Sequence, residues 1–133
     1  MADLEDLLVK GDDLDRALVA GVLGPLLRID SGNCAIRPQG GWRKVNNPAR
    51  ILAYLLARKA MVALGLPLEK EGATPSEVTA ATGIPQGSVN PSLIRLYEDR
   101  PQLVDKDDSS RYSVPSWAID VACNYISAQT KPS

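Results

Sequence analysis

A chain of 133 residues, 44% apolar and 23% charged, is long enough to bury one core and carries no compositional mark of disorder, which excludes a fibrous or unfolded class. Its net charge of −1 gives no global excess of cations for a polyanion. It has no histidine and two cysteines, Cys34 and Cys123, with no CxxC pair, so a zinc centre is excluded and no metal or cofactor is expected.

The first segment, "ADLEDLLVKGDDLDRALVAGVLGPLL", predicts helices. Leu4, Leu7 and Leu8 share one face until Gly11. Asp12 or Asp13 then caps a second helix with Leu14, Leu18 and Val22 as its stripe, and Gly24-Pro25 stops it. In "LLRIDSGNCAIRP", the turn residues Asp30-Ser31-Gly32-Asn33 lie between two short alternating runs, which predicts a β-hairpin. "QGGWRKVNN" reads as a Gly-rich basic loop, with Trp42 as a plug over the core. From Arg28 to Lys59 seven cations face a single acid, Asp30, whereas residues 1–15 hold Asp3, Glu5, Asp6, Asp12, Asp13 and Asp15. That asymmetry marks either a binding face or ordinary surface decoration.

"NNPARILAYLLARKAMVALGLP" is the clearest helix. Asn47 is its expected N-cap and Pro48 its first helical residue. Ile51, Leu52, Leu55, Leu56, Met61 and Val62 form the apolar face, Arg50, Arg58 and Lys59 are expected to extend outward, and Gly65 ends it. "LEKEGA" reads as a polar linker. Thr74, Pro75 and Glu77 then form a capping box, in which the Thr hydroxyl and the Glu carboxylate each take a backbone N–H of the other. This helix runs to about Thr82, where Gly83 stops it. Ile84 is a buried connector and Pro85 opens a second helix whose Val89, Leu93 and Leu96 face one way. "QLVDKDDSSRYSVP" predicts a second hairpin, with Leu103 and Val104 on one strand and Tyr112 and Val114 on the other. A last helix follows Pro115-Ser116, with Trp117, Ala118, Val121, Ala122 and Tyr125 as its stripe, and residues 129–133 are a frayed tail.

In this order residues 47–126 resemble a winged helix-turn-helix domain. The residues that carry the resemblance are Glu77, Val78, Gly83, Ile84, Ser88, Val89, Leu93 and Leu96 in "SEVTAATGIPQGSVNPSLIRL". Pro91 in "SVNPSLIRL" is similar to PadR/MarR-type transcriptional regulators, while Thr79 and Thr82 depart from the usual Ala and Leu. The resemblance implies a mainly α fold with small β: a three-helix core and a β-hairpin wing over residues 47–128, with residues 1–46 as a helical and β-hairpin extension. It implies that the third core helix enters the major groove of double-stranded DNA, with Gln86, Ser88, Asn90 and Ser92 at base edges or phosphates and Arg95 further along. Pro75 and Ser76 open a helix whose N–H groups contact a phosphate, and Lys106 and Arg111 are the basic residues of the wing. Arg43 and Lys44 join them if the basic loop folds beside the third helix; if it lies opposite, a protein-interaction or assembly module gains. Asp105, Asp107 and Asp108 make the wing tip acidic, which fits that alternative.

Dimerisation through the N-terminal leucines would double the DNA contacts, so a homodimer is expected. A protein partner is the alternative. No His, GxGxxG, P-loop or activated Ser or Cys is present, so an enzyme is not expected. No apolar run reaches the ~18 residues of a membrane span, and no signal peptide is legible, so the expectation is a cytoplasmic protein with reduced thiols.

Overall fold

The computed structural model describes residues 16–130; the expected N-terminal leucine face at Leu4, Leu7 and Leu8 lies outside them. In chain order the elements are α1 (Arg16–Leu23), the hairpin β1 (Leu27–Asp30) and β2 (Ala35–Pro38), α2 (Asn47–Ala63), α3 (Pro75–Thr82), α4 (Gln86–Glu98), the hairpin β3 (Asp105–Lys106) and β4 (Tyr112–Ser113), and α5 (Ile119–Thr130). The fold is thus mainly helical with two small antiparallel sheets.

The centre is α2, packed by α1, α3, α4, α5 and β4. Residues 51–61 are buried on every side of it. Its N-cap is Asn46, one residue earlier than expected, because the Asn46 Oδ1 accepts the Ala49 N–H at 2.9 Å; Pro48 therefore sits at the second helical position. Arg58 and Lys59 do not extend outward. Both are buried, Arg58 in hydrogen bonds to carbonyls of the following segment and Lys59 in an ion pair with Glu71 at 3.1 Å. Val62, expected on the apolar face, is exposed.

The segment expected to be a plain linker is anchored. Arg58 takes the carbonyls of Lys70, Glu71 and Gly72, and Ala73 exchanges two backbone hydrogen bonds with Tyr112 at 2.9 and 2.8 Å. The basic loop is a short 3₁₀ helix at Gly40–Lys44 with Trp42 buried, as a plug should be. Gly41 is needed there, since a side chain would collide with the Pro25 carbonyl.

The first hairpin forms where its turn residues placed it, with Leu27 opposite Pro38 and Asp30 opposite Ala35. The second hairpin is shifted. Leu103 and Val104 are buried before the strand begins, and pairing joins Asp105 to Ser113 and Lys106 to Tyr112. Trp117 and Ala118 lie in a short 3₁₀ helix, Ser116–Ala118, before α5; Trp117 is exposed rather than part of the stripe, and Ala118, Ile119, Ala122, Cys123 and Ile126 carry the burial. Likewise α1 buries Val19 and Leu23, with Leu18 and Val22 only partly covered. One core runs from Val19 to Ile126, so the described part of the N-terminal extension shares it.

Candidate nucleic-acid interface

The pair α3 and α4 is set by local chemistry. Thr74 Oγ1 accepts the Glu77 N–H at 3.2 Å, and the Glu77 carboxylate accepts the Thr74 N–H at 2.9 Å, which completes the capping box. Gly83 ends α3 with φ 77°, a left-handed conformation that disfavours side chains. Pro85 then caps α4 through its carbonyl, which accepts the N–H groups of Ser88 and Val89.

One side of α4 is anchored. Val89, Leu93 and Leu96 are buried where α4 packs on α2 and α3. Such burial contributes roughly 1.5–3 kcal/mol per side chain. The other side is open: Gln86, Asn90 and Arg95 are exposed, and Ser88 and Ser92 are half-buried at the margins. Pro91 has no N–H for the carbonyl of Gly87 four residues earlier; both residues are exposed, so that carbonyl can be solvated. The open face is not purely polar, because Ile94 is 49% exposed and Tyr97 38%. Asn90, Pro91, Ile94, Arg95, Glu98 and Asp99 line a shallow depression on it.

The second hairpin stands beside α3. Arg111 Nη1 donates to Glu77 Oε1 at 2.7 Å and to the Gly72 carbonyl at 3.0 Å. This expected wing cation is therefore committed to α3. Burial alone would raise the pKa of Glu77, but the Thr74 N–H and the guanidinium charges of Arg111 and Arg58 outweigh it and hold the pKa below its usual value. Lys106 is exposed, with its ammonium 5.8 Å from the centre of the Tyr112 ring. Asp105, Asp107 and Asp108 are exposed. Asp107 accepts the N–H groups of Arg111 and Ser109, which lowers its pKa and keeps its charge at the tip.

The remaining candidate residues are placed elsewhere or partly used. Pro75 has no N–H, and the Glu77 N–H is taken by Thr74, so Ser76 retains the open donor of that turn. The Glu77 carboxylate beside it opposes an anion. Arg43 and Lys44 are exposed on the 3₁₀ helix, which packs against α5, whereas α4 packs against α2 and α3. Arg50 is turned back onto that 3₁₀ helix, with Nε donating to the Trp42 carbonyl at 2.8 Å, and Arg37 pairs with Asp30 at 2.8 Å. The structure thus gathers Gln86, Ser88, Asn90, Ser92 and Arg95 on one helix and does not gather Arg43 and Lys44 with them.

Sequence reasoning missed the apolar part of the α4 face. The signal was present: Ile94 and Tyr97 each lie one residue after a member of the Leu93–Leu96 stripe, about 100° around the helix. Among the described residues no group of acids and cysteines is arranged to hold a metal ion, and no helix is long and apolar enough to cross a membrane. No protein-family model, curated protein or solved structure matches the chain.

Proposed function

We propose that residues 47–128 form a winged helix-turn-helix and that the protein binds double-stranded DNA with α4 in the major groove, as a transcriptional regulator or an architectural protein. The observation that carries this reading is the two-sided α4. Its aliphatic side is anchored on α2 and α3, while Gln86, Asn90 and Arg95 stand outward on a regular helix, followed by a hairpin tied to α3. Asn and Gln at that place suit bidentate contact with adenine.

Charge sets the strength of this binding. Arg95 and Lys106 are the exposed cations of α4 and the second hairpin, against Glu98, Asp105, Asp107 and Asp108. Affinity for DNA rests largely on neutralised phosphates. One protomer should therefore bind weakly, with a salt slope of about −2 for two phosphate contacts. A homodimer would double that slope. Leu64, exposed on the wall of an apolar groove between α1, β1 and the end of α2, supports pairing of two copies there.

Fluorescence anisotropy on mixed-sequence duplexes at two salt concentrations tests this, with the protein mass read by light scattering in the same buffers. The expected result is binding in the range of about 1–100 μM at low salt, weakened by Asn90→Ala and Arg95→Ala. Absence of binding through that range defeats the DNA reading.

A second reading, a winged-helix module for a protein partner, is favoured by Pro91, Ile94 and Tyr97 on the same face and by the acidic hairpin tip. In the titration it appears as no DNA binding by a correctly folded protein.

A further inference from the structure

A cavity of about 450 Å³ opens where the first hairpin turn, α2, the segment after Pro67, α3 and the second hairpin meet. Its lining is chiefly polar and includes Arg58, Lys70, Glu77 and Arg111, with Cys34 and Leu68 beside them. Arg58 is unusual there. It is 6% exposed, and all four of its hydrogen-bond partners are neutral: the carbonyls of Lys70 (2.7 Å), Glu71 (2.9 Å) and Gly72 (3.0 Å), and the Tyr54 hydroxyl (2.9 Å). No carboxylate of the described residues lies within ion-pair distance of it. Glu77 feels this charge without hydrogen-bonding to Arg58, so the buried cation is only partly compensated.

The neighbouring carboxylate does not remove that imbalance. Glu77 Oε1 already receives the Thr74 N–H, the Thr74 hydroxyl and Arg111. Three cations, Arg58, Lys70 and Arg111, line the cavity against two acids, Glu69 and Glu77. Donors remain as well. Arg111 uses only Nη1, and a guanidinium has five N–H groups, so Nε and Nη2 are unspent. The size lies within the usual range for small-molecule sites, roughly 300–1,000 Å³.

We propose that this cavity binds a small organic oxyanion, with its carboxylate or phosphate head on Arg111 and Lys70 beside the buried Arg58 and its body along Pro67 and Leu68. Planar forks of N–H groups suit both kinds of head. Such a ligand touches α2, α3 and both hairpins at once, so it stiffens the second hairpin against α3.

The structure supplies its own reporter. Cys34 lines the cavity and is half-buried, whereas Cys123 is fully buried, so a neutral thiol reagent reads Cys34. The experiment measures the rate of N-ethylmaleimide modification and the thermal midpoint of the full chain. The probes are inorganic phosphate, succinate and glycerol 3-phosphate, with glycerol and sodium chloride at matched ionic strength as controls. We expect at least one of these anions to slow Cys34 modification and raise the midpoint saturably, with succinate against the phosphates distinguishing the head group. Lys70→Ala, a change on an exposed side chain, and Arg111→Gln should each weaken that protection about tenfold, the loss of one charge-assisted contact. The proposal is overturned if no anion protects up to about 10 mM, weaker than an ordinary specific site. It is equally overturned if chloride protects as well, or if both variants retain full protection. No DNA enters this measurement, so its failure leaves the reading of α4 untouched.

Discussion

Helices α2 and α4 look alike as sequences: each carries an aliphatic stripe and a set of charged or polar residues between. The structure uses them in opposite ways. Around α2 five elements close in, so even its cations are inside, where Arg58 and Lys59 are spent on the chain itself. Around α4 only one side is covered, and Gln86, Asn90 and Arg95 face solvent. A polar residue on an amphipathic helix is thus a structural pin or a contact for something else according to how many neighbours the helix has. Spacing alone does not report that number.

The sharpest way to break the comparison is to remove the pin. Arg58→Met leaves the Tyr54 hydroxyl, which is buried, and the part-buried carbonyls of Lys70 and Glu71 without this donor, while the Gly72 carbonyl keeps Arg111. An unsatisfied buried group costs ~1–3 kcal/mol and a part-buried one less, so the loss should be about 2–3 kcal/mol, read from urea unfolding. Lys59→Met should lose less, because Lys59 holds only Glu71, whose side chain remains 29% exposed to water. If Arg58→Met unfolds within about 0.5 kcal/mol of the parent, the reach of a surface change, α2 is not the distinct case argued above.

A middle-sized effect tests the joint between the two helical regions. Glu77 serves the α3 cap and the Arg111 pair together, and its pKa in the folded protein lies below the unfolded value. Its stabilisation is therefore complete above the ordinary glutamate range and is lost as pH falls through the folded pKa. Stability measured from neutral pH downward should decline on that limb, and Glu77→Gln should start lower and decline less steeply. The side chain is 41% exposed, so solvent screening keeps the effect modest. Asp30 and Asp107 are also lowered, through hydrogen bonds from Arg37 and from backbone N–H groups respectively, and act on the same limb. The difference between Glu77→Gln and parent, rather than either curve alone, carries the result. Parallel curves would place the joint elsewhere.

Local chemistry was legible in the residues, and long-range partnership was not. The Thr74–Glu77 box, the left-handed Gly83 and the turn after Asp30 are each written within five residues and each formed in place. The stripe of Val89, Leu93 and Leu96 was equally readable, and so was the outward side of α4. By contrast, Arg58 finds its three carbonyl partners 12 to 14 residues away, and Arg111 finds Glu77 across 34. Nothing in the spacing of either arginine distinguishes a solvated cation from one bound to carbonyls. The second hairpin shifted for a related reason: Leu103 and Val104 are apolar enough to read as strand, but burial in the core took both before the pairing began.

The smallest expected effect is the one that separates the two helices most cleanly. Asn90→Ala and Arg95→Ala remove exposed groups with no partner in the fold to strand, so unfolding free energies should stay within about 0.5 kcal/mol of the parent. Alanine is also a better helix former than Asn, which offsets part of any loss at position 90. The same variants should weaken DNA binding, and Arg95→Ala should make the salt slope shallower by about one contact. A stability loss of 2 kcal/mol or so would instead mean that α4 spends these side chains on its own fold, as α2 spends Arg58. Unchanged stability together with unchanged DNA affinity would move attention along the same helix to Pro91, Ile94 and Tyr97, because that exposed apolar strip is the part of α4 that the DNA reading leaves unused.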